Sequence, residues 1–192
     1  MKSTFVHIKG TAMNIEIKLH EICVGSETIS LRFGDTVIHY DPTYMGPEAL
    51  SSLIDSVISL GYRETENIDT ERFFTTWETE PVTLELSFYR NKITNKTLLK
   101  TVSDSENLNN LEIEFDFEEY KEAVIKESLR VLKTYGLRGF NESWSDGMDV
   151  FPVNSLLVLL GADVNYNEKT WDCNSNIFTE LDILKDALSK HS

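Results

Sequence analysis

His20, Glu21 and Cys23 place three metal-capable side chains within four residues, and His39 follows on the next apolar stretch but one. A structural zinc site takes four nitrogen or sulfur ligands, usually in paired spacings on turns or helices. The chain offers four His and two Cys, all scattered. Neighbours on a strand such as His20 and Glu21 point to opposite faces. These residues are therefore expected to be polar members of a sheet, with no metal bound. A cysteine nucleophile needs a His partner and a third group that orients it. Cys23 near His20 or His39 is one candidate, and Cys173 in Trp171-Asp172-Cys173-Asn174 is another. Neither carries a local thiol-hydrolase signature, and both are expected to be reduced thiols. Asp146 and Asp149 flank Gly147-Met148. That spacing departs from the alternating ligands of a calcium loop and suits a turn. No glycine-rich phosphate loop or dinucleotide fingerprint occurs. The expected catalytic residues, cofactors and metals are none.

Charge carries more information than these clusters. The chain has 32 Asp and Glu against 18 Lys and Arg, a formal net charge of −14 in 192 residues. With 41% hydrophobic residues it has the composition of a folded domain, so the acids belong on its surface. Such a field opposes nucleic acid and anionic membrane and attracts basic proteins. Basic residues cluster once, at Arg90, Lys92, Lys96 and Lys100, with no acid between. That patch is too small for a nucleic-acid footprint and reads as a solvated hairpin that discourages edge pairing.

Acids are denser. Asp104 to Glu122 holds eight of them and one lysine. Glu112, Glu114 and Asp116 alternate with Leu111, Ile113, Phe115 and Phe117, which predicts one exposed acidic strand face. Glu118 and Glu119 follow at once. Like charges at this spacing repel, so the fold does not require them. They are either solubilising or a docking face for a basic partner. Two further regions join acids to tryptophan: Glu142, Trp144, Asp146 and Asp149, then Asp163, Trp171 and Asp172. Tryptophan is favoured at binding hot spots.

These residues must be held by elements that the hydrophobic pattern predicts. Met13, Ile15, Ile17 and Leu19 alternate with polar residues, and the phase shifts at Ile22, which predicts a strand bulged near Glu21. Strands over 29–33 and 37–40 follow, joined at Gly34-Asp35, then a helix from Pro47 to Gly61. A weak strand over 72–77 precedes strong ones at 82–89, 96–102 and 111–117, and a helix over 118–135 stopped by Gly136. Residues 139–151 and 162–175 read as irregular loops, and helices are expected over 152–160 and 179–190. Residues 5–8 suggest a short extra strand.

The expected class is α+β: mainly antiparallel sheet with one long packed helix and a helical C-terminal third. The chain reads as a single domain, 1–192, with βββα halves at 13–60 and 82–135 and a helical and loop part at 136–192. No apolar run is long enough for a signal peptide or a membrane span. The expected setting is cytoplasmic. The expected function is non-enzymatic: an acidic inhibitor, such as an immunity protein, that occludes the active site of a basic partner such as a bacterial toxin. The competing readings are an enzyme with its site in the 139–176 loops and an acidic adaptor or nucleic-acid mimic.

Overall fold

The computed structural model describes residues 5–9, 13–23, 26–42, 49–61, 69–79, 81–104, 110–145, 155, 156, 159 and 160. They form a mixed α+β structure with eight strands in two sheets. Strands β2 (Ile15–Cys23), β3 (Ser26–Phe33) and β4 (Thr36–Tyr40) make an antiparallel meander in the order β2-β3-β4. Helix α1 spans Ala49–Gly61. The larger sheet runs β1-β8-β7-β6-β5, from β1 (Val6–Lys9), β5 (Thr70–Thr79), β6 (Val82–Asn91), β7 (Lys96–Ser103) and β8 (Leu111–Asp116). Its pairs are antiparallel except β1 with β8, which is parallel.

The alternation of apolar residues decides which face of each sheet is buried. Leu19, Ile29, Leu31, Phe33, Ile38 and Tyr40 face inward from the small sheet. Trp77, Leu84, Leu86, Phe88, Leu99, Ile113 and Phe115 face inward from the large one. Phe33 stacks on Phe115 with ring centroids 5.1 Å apart, which joins the two sheets. Helix α1 packs on β5 and β6 with Leu50, Leu53, Ile54, Val57 and Leu60 fully buried. Polar groups inside this core find partners. The Trp77 indole N–H donates to Ser52 Oγ at 2.8 Å, and Ser56 Oγ meets the Tyr120 hydroxyl at 2.7 Å. The predicted bulge lies between Leu19 and Glu21, where the β2–β3 register shifts.

Helix α2 (Phe117–Ser145) corrects two expectations. The helix expected over 118–135 stops at Gly136 as expected, where φ is 69° and ψ 168°, but a second helical segment follows through Ser145, a stretch expected to be loop. Glycine permits that positive φ, and Phe140, buried beyond it, gives the second segment a core anchor. A helical C-terminal third is not borne out, because after β8 this is the one long helix among the described residues. The helix expected over 152–160 is described only at residues 155, 156, 159 and 160, and the one over 179–190 lies outside the described residues. The weak strand over 72–77 is longer than its pattern suggests. Ten residues of β5 pair with β6, and Trp77 anchors them in the core. No helix among the described residues is long and apolar enough to cross a membrane.

Candidate functional site

The acids predicted to share one strand face do share it, but they are not free. In the β7–β8 register Lys96 lies opposite Asp116 and Lys100 opposite Glu112. Lys100 Nζ is 2.5 Å from Glu112 Oε1, and His7 Nδ1 on β1 is 2.8 Å from Glu112 Oε2. The Glu112 side chain is consequently only 16% exposed, and the Lys100 hydrogen bond holds its carboxyl below the ordinary carboxylate range. Lys96 Nζ stands 3.8 Å from Asp116 Oδ2, while Asp116 Oδ1 accepts the Glu118 backbone N–H at 2.9 Å and caps α2. Glu114 is half-buried opposite Leu98. The expectation of a free, like-charged acidic face is therefore corrected. Opposite charges face each other across strands, an arrangement that stabilises a sheet rather than burdening it.

All four members of the basic patch likewise have partners, while its lysines keep about a third of their side chains exposed. Besides Lys96 and Lys100, Lys92 Nζ lies 2.6 Å from Glu71. Arg90 lies 3.7 Å over the Phe117 ring and donates to the Leu60 carbonyl and to Asn95 Oδ1, each at 2.8 Å. It ties the end of α1, the β6–β7 turn and the start of α2 together.

Beyond β8 the acids of α2 are more exposed. Glu118 pairs with Lys121 at 3.1 Å, but its side chain is 53% exposed. Glu119 and Glu122 are exposed on the next turn. Helical spacing puts Glu119, Glu122, Ala123, Lys126, Glu127 and Arg130 along one side of α2. That side borders β2, where two adjoining clefts of about 390 and 490 Å³ share Asn14, Ile15, Ala123 and Lys126 as walls. Glu119 and Glu122 border the larger cleft. The smaller reaches Lys18, Glu127 and Arg130. Glu127 is buried, with Arg130 Nη2 2.6 Å from its Oε1. That contact raises the Arg130 pKa above its ordinary value.

His20 and His39 do come together, with ring centroids 5.7 Å apart, and His20 Nε2 meets Ser30 Oγ at 2.8 Å. Burial, then the nearby Lys18 and His39, keeps the His20 pKa below its usual value. No group of three or more His, Cys, Asp or Glu able to hold a metal occurs among the described residues. For Glu142 and Trp144 only the helical backbone of α2 is described. Asp146, Asp149, Asp163, Trp171 and Asp172 lie outside the described residues.

Of the predicted site residues, Glu119 borders the cleft and Glu118 precedes it, while Glu112 and Asp116 are engaged in cross-strand pairs. Sequence reasoning missed Glu122, Lys126, Glu127 and Arg130 as one group. Their three- and four-residue spacing beside the apolar stripe of Tyr120, Val124 and Ser128 was the available signal. No known protein family, curated protein or solved structure matches the chain.

Proposed function

We propose that this chain is a non-enzymatic binding protein that engages a basic protein partner, in the manner of a cytoplasmic inhibitor such as the immunity protein of a bacterial toxin. The observation that carries this reading is the placement of Glu119 and Glu122. They are exposed, have no described ion pair, and border a cleft against the β2 edge. The net charge of −14 supplies the long-range field that draws a basic partner in. The cleft supplies a concave place for it to seat, and uncompensated carboxylates at its rim favour cationic side chains. Occlusion of a positively charged active site requires no chemistry from the inhibitor.

The test is capture from the source cell with neighbouring gene products expressed alongside. Tagged wild type, E119K/E122K and E112Q/E114Q are compared. A basic protein should be retained by the wild type and by E112Q/E114Q and lost by E119K/E122K. Retention of no basic protein, or equal retention by all three, would overturn the reading.

A further inference from the structure

Among the described residues strand β2 is an edge strand, and its backbone polarity can be read from two contacts. The Asn14 carbonyl accepts the Gly34 N–H at 2.9 Å, so the backbone groups of Asn14 face β3. Alternation then turns those of Ile15, Ile17 and Leu19 away from β3, toward α2. Leu19 confirms the direction. Its N–H donates to Glu127 Oε1 at 2.6 Å, and its carbonyl accepts from Arg130 Nη2 at 2.5 Å. One helix face thus gives Leu19 the acceptor and donor that a neighbouring strand would give. Ile15 and Ile17 have no such substitutes among the described hydrogen bonds, and both border the cleft. Across from them the helix presents Ala123, a side chain too short to reach the edge.

We propose that the cleft between β2 and α2 receives an extended segment of a partner protein, which adds to β2 as a strand by pairing with Ile15 and Ile17. The inference rests on the proposed function, since it assumes that the partner is a basic protein. Exposed edges are templates for such addition, and main-chain bonds provide the affinity while alternate side chains provide selectivity. Charge identifies the occupant. Glu119 and Glu122 are exposed at the Met13 end of the cleft with Lys126 beside them, while Glu16, 3.5 Å from Arg32, and the exposed Lys18 stand toward the closed end. The segment is therefore basic on its solvent side and apolar where it continues the buried row of Ile17 and Leu19. Pairing of β2 with the β2 of a second copy is disfavoured, because α2 borders that strand in each copy. Glu127 and Arg130 close the edge at Leu19, so the pairing stops there and runs toward Met13.

The probe is acetyl-Lys-Val-Lys-Val-Lys-amide, set against the same peptide N-methylated at alternate backbone positions. Amide shifts and hydrogen exchange of the protein are followed by NMR. The unmodified peptide should protect the amides of Ile15 and Ile17 and leave that of Leu19 unchanged. N-methylation should weaken binding at least about tenfold, the loss expected of one or two main-chain hydrogen bonds. Ile15→Pro, which removes an outward N–H and leaves the β3 ladder intact, should weaken binding as much, while Ile15→Ala should not. Equal binding of both peptides would overturn strand addition. If E119K/E122K nonetheless abolished that binding, the charge-based reading would survive alone. Absence of binding at millimolar peptide, or self-association of the chain through β2, would also overturn the proposal.

Discussion

Strand β8 and the opening turns of α2 are consecutive in the chain and similarly rich in acid, yet their charges have different fates. On β8 the side-chain period of two matches that of β7, so Lys96 and Lys100 fall opposite Asp116 and Glu112. Pairing removes most of the Glu112 side chain from water. On α2 the period changes to 3.6, and β2 alongside gives Glu119 and Glu122 no described ion pair. Glu118 has only Lys121 within its own helix, and Glu119 and Glu122 remain exposed. Acid density in a sequence therefore does not locate a charged surface. The register of the neighbouring element decides whether each carboxylate is neutralised at home or left for a partner.

Substitutions can break this contrast in order of size. Phe115 occupies the inner face of β8, stacked on Phe33 and in contact with Tyr120. Phe115→Ala should cost roughly 3–5 kcal/mol, measured by urea unfolding. Glu127→Ala should cost about 1–3 kcal/mol, because it strands the Leu19 N–H and one side of Arg130. Glu119→Ala, one helix face away from any described partner, should stay within about 0.5 kcal/mol of wild type. Charge reversal sharpens the same point. Glu112→Lys, facing Lys100 and His7, should lower the thermal midpoint more than Glu119→Lys does.

The smallest effect is a titration. Glu112 should protonate below 4.5, and Lys100→Ala should bring it back toward that value, as followed by carboxyl NMR. A carboxyl whose folded pKa lies below its unfolded one stabilises the fold above the unfolded pKa. That contribution is lost as the pH falls from about 4.5 through the folded value. A Glu112 midpoint at or above 4.5 would contradict the cross-strand pair.

Much of this was legible in the sequence. The period of two over Leu111–Phe117 places Leu111, Ile113, Phe115 and Phe117 inside; the last three are buried and Leu111 is half-buried. The phase shift after Leu19 marks the bulge. What escaped was pairing between elements. Nothing local in Lys96 or Lys100 says which strand lies opposite, so a cross-strand ladder on the outer face looked like two separate charge patches. Gly136 marks the stop it signalled, but no local pattern announced the second helical segment that buries Phe140. The Glu127–Arg130 cap on Leu19 joins residues more than a hundred positions apart, beyond any window of periodicity.

The most direct test of the central claim compares two double neutralisations that change net charge equally, E119Q/E122Q and E112Q/E114Q. Stopped-flow association with the fluorescently labelled lysine–valine peptide is measured at low and at high salt. E119Q/E122Q should slow association severalfold at low salt, with the difference fading as the Debye length shrinks below about 10 Å. E112Q/E114Q should stay within about twofold of wild type, the modest change expected when charges already paired within the protein are removed. The reverse ranking would show that the β8 face, and not the start of α2, receives the partner.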